Sequence, residues 1–136
     1  PLMADRKKWK LTASHGSEKL GGCVDGNGKS RYDTGTSQVP GMWVQVEFPS
    51  VSKVNRIQLD SKSSARDYPR GYQVESSVDG KKWSEPLAIG VGKHPMTDIS
   101  FPSTEAKFLK ITQTGRVNGL YWSIHEMQIF GKPVPR

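Results

Sequence analysis

The segment "WVQVEF" (43–48) alternates apolar and polar side chains, and this alternation decides the fold class. Val44, Val46 and Phe48 share one face, whereas Gln45 and Glu47 point the other way. A period of two is typical of a β-strand that buries one face and exposes the other. The segment therefore predicts a half-buried strand.

The same alternation recurs along the chain. Further strand candidates are "VNRIQLD" (54–60), "GYQVESS" (71–77), "LAIGV" (87–91), "DISF" (98–101), "KFLKIT" (107–112) and "EMQIFG" (126–131). Turn signals lie between them, including Pro49-Ser50, Pro102-Ser103 and Asp79-Gly80. Asp79-Gly80 predicts a hairpin, because type I′ turns need positive φ at both central positions. Many short strands, with no helix longer than a turn or two, predict an antiparallel sandwich or barrel.

Length and composition narrow the class of protein. A chain of 136 residues forms one domain, and 34% hydrophobic content with 14 Gly and 9 Pro fits a turn-rich protein. No apolar run approaches the roughly 20 residues that cross a bilayer. Cys23 is the only cysteine, a pattern that fits a secreted bacterial module better than a disulfide-stapled animal domain. Because the sequence opens on Pro1 without a leader, we expect a piece of a longer protein.

The stretch "GGCVDGNGKSRYDTG" (21–35) concentrates glycines and oxygen-bearing side chains. An EF-hand loop is excluded, because Lys29 and Ser30 stand where that loop needs Asp/Asn and Gly. A phosphate-binding loop is excluded as well, since no Gly-Lys-Ser/Thr closes a Gly-x-x-x-x run. Taken alone, the stretch is explained by a plain turn in which Asp25 caps local amides.

Five motifs occur in a fixed order along the chain. They are "VDGNGKSRYDTG" (24–35), "MWVQVEF" (42–48), "YPRGYQVESSVDGKKW" (68–83), "FLKIT" (108–112) and "YWSIHEMQIFG" (121–131). This succession resembles the coagulation factor V/VIII type C (discoidin) domain and, within it, the family 32 carbohydrate-binding modules. The resemblance covers roughly residues 9–131 and implies an all-β, eight-stranded antiparallel jelly-roll β-sandwich, with residues 1–136 forming a single module.

The resemblance also implies a structural calcium ion. Side-chain ligands would come from Asp25, Ser30 and Glu126, and main-chain carbonyls from Gly22, Asn27, Ser30 and His125. Calcium takes six to eight oxygen ligands, and glycines let carbonyls turn inward. Such an ion would tie the first loop to the last strand and stabilise the fold without catalysing a reaction.

In the family that the chain resembles, ligands bind to loops at one end of the jelly roll. The matching loops are 14–20, 36–42, 60–70 and 115–122. The residues predicted to contact carbohydrate are His15, Lys62, Arg66, Asp67, Arg116, Asn118 and Tyr121. Tyr121 would offer a flat face to sugar C–H groups, while charged and amide side chains bind hydroxyls. Asp67 replaces the Asn that the family usually has, a departure that leaves the sugar unassigned.

The net charge of +7 favours an anionic partner. Basic residues in the predicted loops are Lys19, Lys62, Arg66 and Arg116, and they match carboxylate or sulfate groups on an acidic glycan. A well-charged surface that serves only solubility explains the same composition.

The sequence offers little for catalysis: three His, no His-Glu-x-x-His and no nucleophile elbow. We therefore expect a monomeric, non-catalytic carbohydrate-binding module, fused to a larger bacterial enzyme that acts outside the cell, at its surface or in the periplasm. One alternative is a discoidin domain for lipid surfaces or protein adhesion, for which the loops offer only Met42 and Leu120. Another is a basic nucleic-acid or scaffold module, although aromatic stripes are missing. Neither membrane insertion nor nucleic-acid binding is expected.

Overall fold

Eight antiparallel strands form the protein in the computed structural model, which describes residues 1–135. The strands are β1 Lys10–Ala13, β2 Tyr32–Asp33, β3 Met42–Asp60, β4 Tyr72–Ser77, β5 Ala88–Gly90, β6 Met96–Gln113, β7 Ser123–Ile124 and β8 Glu126–Pro133. Short 3₁₀ turns occur at Arg6–Lys8, Ser17–Cys23 and Ala65–Asp67. Within the described part of the chain, no helix has the length and apolarity needed to cross a membrane.

The two long strands, β3 and β6, contribute to both layers of a sandwich. The first half of β3, up to Glu47, pairs with β1 on one side and with the end of β6 on the other. The end of β6 also pairs with β4, which pairs with β5. The second half of β3, from Ser52, lies between β8 and the first half of β6. The predicted eight-stranded antiparallel β-sandwich is therefore confirmed, with β2 and β7 as a separate small sheet.

The prediction of turns at Pro49-Ser50 and Pro102-Ser103 was wrong, because both dipeptides lie at bends within continuous strands. Segments 43–48 and 54–60 belong to one strand, β3, whose register against β6 shifts between Glu47 and Ser52. Proline donates no N–H to the ladder, but its fixed φ suits extended backbone. The strand therefore turns the corner from one sheet to the other without ending.

Asp79-Gly80 does not form the two-residue hairpin that the sequence predicted. Only Gly80 has a positive φ, of 78°. The Asp79 carboxylate instead accepts hydrogen bonds from the main-chain N–H groups of Lys81 and Lys82, at 2.8 and 2.9 Å. The connection between β4 and β5 spans residues 78–87, because the side chain of Asp79 organises a wider loop.

The inward faces of the strands fill one hydrophobic core. Val44, Val46 and Phe48 are buried, as their alternation predicts. Trp122, wholly buried, meets the ring of Tyr32 edge-on, with ring centroids 6.3 Å apart. Each such side chain contributes about 1.5–3 kcal/mol when it leaves water. The core thus holds Trp122 as an anchor directly beneath the loop that carries Tyr121.

A buried amide joins three of the loops at one end of the sandwich. The Gln38 side chain donates to the carbonyls of Tyr68 and Tyr121, at 2.8 and 3.1 Å, and accepts from the N–H of Arg70 at 3.1 Å. The Gln38 main-chain N–H also donates to Leu120 O. Every polar atom of this buried amide therefore bonds to loop backbone, which holds loops 36–42, 60–70 and 115–122 together.

Cys23 is expected to be chemically inert in the folded protein. Its thiol is fully buried and donates to Leu20 O, and burial raises its pKa from 9.0 to about 12. At about pH 8 such a thiol holds about 1,000-fold less thiolate than an ordinary cysteine. A disulfide-exchange reagent should label Cys23 only at the rate of unfolding. Rapid labelling of the native protein would contradict this burial.

Replacing Gln38 by alanine should loosen the three loops. Q38A leaves two carbonyls and one N–H without their partner, which costs roughly 1–3 kcal/mol of unfolding free energy for each buried group left unsatisfied. Chemical denaturation compares it with Q45A, a half-buried glutamine on the outward face of β3. Equal losses in both variants would mean that Gln38 does not organise the loops.

Candidate functional site

The four loops predicted to bind ligand gather at one end of the sandwich, here called the rim. Loop 14–20 lies against β2, because the Tyr32 hydroxyl donates to His15 O at 2.6 Å. Loops 36–42 and 115–122 are joined by a bond from the Gly119 N–H to the Ser37 hydroxyl at 2.9 Å. Gln38 connects both to loop 60–70, so the rim is a single, internally bonded structure.

A buried carboxylate that the sequence reasoning missed lies beneath the rim. Asp33, on β2, is 6% exposed and has a cation on each oxygen. Lys19 Nζ lies 2.7 Å from Oδ1, and Arg31 Nε lies 3.1 Å from Oδ2. Two cations compensate for the burial of one carboxylate. The hydrogen bond to Asp33 raises the pKa of Lys19, so its partly exposed ammonium stays charged at the rim.

Close approach of the first loop to Asp33 depends on Gly16. Its φ is 66°, a conformation that favours glycine, and an added Cβ would lie 2.2 Å from the carbonyl oxygen of Asp33. Any side chain at this position would push the loop away from β2. Gly16 therefore lets Lys19 reach Asp33. Apart from this glycine, the sequence analysis found no motif that predicts the Lys19–Asp33 ion pair.

Asp67, predicted to contact carbohydrate, is partly engaged within the protein. Its Oδ2 accepts from the Ser123 hydroxyl at 2.6 Å and lies 3.6 Å from Arg31 Nη1. Arg31 also donates to the Ser64 hydroxyl at 2.9 Å. Arg31 thus bridges Asp33 and Asp67, which makes it the central cation below the rim.

Five other residues that the sequence predicted to contact carbohydrate are exposed to solvent: His15, Arg66, Arg116, Asn118 and Tyr121. Tyr121 is 39% exposed.

Lys62 lies apart from these side chains. Its Nζ is 3.6 Å from Asp60 Oδ2. An added Cβ at Gly28 would lie 2.9 Å from Lys62 Cδ, so the lysine stem covers that glycine. The structure therefore places Lys62 over the loop predicted to hold calcium.

The loop predicted to hold calcium, residues 25–30, has its own local hydrogen bonds. Asp25 Oδ1 accepts from the Asn27 N–H at 2.9 Å, and Asn27 Oδ1 accepts from the Lys29 N–H at 3.0 Å. The bond from Asn27 is the main cause that lowers the pKa of Asp25, with help from the Ser30 hydroxyl and the Arg6 guanidinium. Gly22 packs against the backbone of Arg31, where an added Cβ would lie 2.7 Å from a carbonyl oxygen.

Glu126, the distant carboxylate of the predicted calcium set, has one satisfied and one unsatisfied oxygen. It is 8% exposed, and Oε2 accepts from Arg6 Nη1 at 2.6 Å. Oε1 is buried without a hydrogen-bond partner among the described residues. Arg6 bonds to Glu126 and lines one cleft with Asp25, so the two carboxylates lie on the same side of the molecule.

His125 can contribute to a metal site only through its carbonyl. Its Nδ1 lies 2.7 Å from Gly28 O and its Nε2 lies 2.8 Å from the Ser64 hydroxyl, so both ring nitrogens are engaged. Within residues 1–135, no group of three or more His, Cys, Asp or Glu side chains could hold a metal ion. A cation here must therefore be bound largely by main-chain carbonyls.

These residues fit calcium on chemical grounds. All of the donors are oxygens, and calcium prefers oxygen ligands, including carbonyls and hydroxyls. The unpartnered Oε1 of Glu126 is the observation that favours a bound cation, since a buried carboxylate oxygen is costly without a donor or an ion.

Three solved structures with a similar fold are described as carbohydrate- or chitosan-binding modules. CBM32-3 from a family 31 glycoside hydrolase of Clostridium perfringens aligns with a TM-score of 0.78 and 18% identity, covering 96% of this chain and 95% of that one. Chitosan-binding module 1 from a chitosanase/glucanase of Paenibacillus sp. IK-5 aligns with a TM-score of 0.76 and 24% identity, over 91% and 96% of the two chains.

A third structure, the family 32 module of NanJ from Clostridium perfringens in complex with galactose, aligns with a TM-score of 0.77 and 18% identity, over 91% and 94% of the chains. No curated protein matches the sequence. The family model described as F5/8 type C domain matches residues 8–127. With the eight-stranded sandwich and its gathered loops, this match shows that the chain belongs to the F5/8 type C domain family.

Proposed function

We propose that this protein is a non-catalytic carbohydrate-binding module that binds glycan at the rim. The observation that carries the proposal is Tyr121, a 39% exposed aromatic side chain on a loop fixed by Gln38. Arg116 and Asn118 are exposed on the same loop. An aromatic face beside charged and amide groups is the arrangement that binds sugar rings.

The rim is preorganised for such a ligand. Its loops are bonded to one another through Gln38 and Ser37, and to β2 through His15 and Lys19. Loops that are ordered before binding lose less conformational entropy when a ligand arrives. A similarly folded chitosan-binding module and a similarly folded module in complex with galactose support glycan as the ligand class.

The charge of the rim favours an acidic or sulfated glycan. Arg66 and Arg116 are exposed, and Lys19 keeps its ammonium at the surface by its bond to Asp33. Arg116 is on the same loop as Tyr121, so a sugar stacked on Tyr121 would have a cation of that loop available to its acidic groups.

The pairing of the carboxylates below the rim supports binding without catalysis. The carboxylates below the rim, Asp33 and Asp67, are both engaged by Arg31. A hydrolytic pair needs one carboxylic acid and one carboxylate free to act on the substrate. We propose instead that the module holds a larger bacterial enzyme on its polymer outside the cell, which raises the local concentration of enzyme.

We also propose a structural calcium ion between loop 25–30 and β8. Asp25, Ser30 and Glu126 would hold it with their side chains, and Gly22, Asn27, Ser30 and His125 with their carbonyls. When bound, the ion neutralises the two carboxylates. The loop and the strand would then be joined directly, which stabilises the fold.

Tyr121 should carry much of the affinity. We expect Y121A to bind at least about tenfold more weakly, because an aromatic anchor at the centre of a site contributes the most. Affinity electrophoresis in gels with alginate, chondroitin sulfate, chitosan or galactan provides the measurement. The control is I89A, which removes a 72% exposed side chain on β5. Equal migration of both variants and the wild type in every gel would refute glycan binding at the rim.

Binding to the acidic polymers should depend on salt. Raising NaCl from about 50 mM to about 500 mM shortens the screening length severalfold and should weaken retardation by alginate and chondroitin sulfate. R116Q should reduce the salt dependence, whereas K82Q, in the loop between β4 and β5, should not. Retardation that persists unchanged in high salt would argue for a neutral sugar while leaving the rim as the site.

A further inference from the structure

We propose that Arg6 is an internal counter-ion that competes with calcium for Glu126. This inference rests on the calcium site of the proposed function. Arg6 Nη1 lies 2.6 Å from Glu126 Oε2 and 3.0 Å from the carbonyl oxygen of Met127. Both side chains are largely buried, with 19% of Arg6 and 10% of Glu126 exposed.

The position of Arg6 is fixed by the core. Met3, which is 9% exposed, donates its N–H to Ile129 O at 2.8 Å. Gly131 N–H donates to Pro1 O at 2.8 Å. The segment before Arg6 therefore runs along β8, the strand that begins with Glu126. This backbone pairing places the Arg6 guanidinium beside the Glu126 carboxylate.

The charges around this contact make Arg6 the resident cation. Arg6 is the cation in direct contact with Glu126, and it lines one cleft together with Asp25. A guanidinium stays charged at every pH that proteins experience. Without a bound metal, Arg6 therefore compensates the burial of Glu126, but it satisfies only Oε2 and leaves Oε1 unpartnered.

A divalent ion that approaches Oε1 meets this fixed positive charge. It must either bind beside the guanidinium, with repulsion between the two cations, or displace Arg6 from Oε2. Both routes lower the affinity for calcium. Loss of Arg6 would free the second oxygen and remove the repulsion, at the cost of an uncompensated buried carboxylate in the metal-free protein.

The experiment measures calcium affinity and thermal stability separately. Wild type, R6Q, K8Q and E126Q are stripped with chelator and titrated with CaCl₂ by calorimetry. Melting is then recorded in chelator and in excess calcium. Lys8 provides the matched charge control, because it is exposed in the same 3₁₀ turn and lines a different cleft. Loss of calcium binding in E126Q would show that Glu126 is a ligand of the ion.

We expect R6Q to bind calcium about tenfold more tightly than wild type, equivalent to about 1.4 kcal/mol. R6Q should melt at a lower temperature than wild type in chelator, and calcium should close the gap. K8Q should match the wild type, and E126Q should not bind. Should R6Q fail to fold in chelator, R6K keeps the charge but replaces the guanidinium that bonds both Glu126 and Met127 O with a flexible ammonium, which calcium displaces more easily. R6K should therefore bind calcium more tightly than wild type does.

Equal calcium affinities of wild type, R6Q and R6K would overturn the role of Arg6 and leave the calcium site standing. An equal gain in K8Q would assign the effect to net charge and overturn it as well. Absence of binding in every variant would overturn both the calcium site and the competition. Glycan retardation in gels is a separate measurement, so its failure would concern the rim alone.

Discussion

Compensation of buried carboxylates by cations from other segments is the constraint on which both candidate sites depend. Asp33 and Glu126 lie on strands and are almost fully buried, so water does not solvate their charges. Lys19 reaches Asp33 from the first loop, and Arg6 reaches Glu126 from the segment beside β8. Because each carboxylate requires its cation, each of these ion pairs fixes a loop or terminal segment against the sandwich. The first loop of the rim and the segment beside β8 are therefore held by buried charge as much as by apolar packing.

One chain of hydrogen bonds links the loop predicted to hold calcium with the rim. His125 Nδ1 lies 2.7 Å from the Gly28 carbonyl oxygen, which can only accept, so Nδ1 donates to it, and Nε2 lies 2.8 Å from the Ser64 hydroxyl. Ser64 in turn accepts from Arg31, which bridges Asp33 and Asp67. The buried imidazole of His125 therefore connects the two sites through hydrogen bonds, which explains the burial of the ring, while its main-chain carbonyl stays available to a cation.

The strand pattern was predictable because side-chain alternation is a local property. Alternation in "WVQVEF" predicted which side chains enter the core, and five ordered motifs predicted the family and its antiparallel sandwich. The corners at Pro49 and Pro102 were not predictable, because a proline that ends a strand and one that bends it look alike in sequence. Likewise, Asp79 was read as part of a tight turn although its carboxylate caps a longer loop.

The fold class, the inward faces of the strands and the candidate loops follow from the amino-acid sequence alone, since these depend on neighbours a few positions apart. The partners of the charged residues follow only from the folded arrangement of the strands. Arg6 and Glu126 are 120 positions apart, and no local pattern connects them. The same holds for Gln38, whose amide bonds to two distant loops, and for Arg31 beneath Asp67. Such pairings follow from how the strands bring remote segments together, because burial leaves each polar group only the partners that the fold supplies.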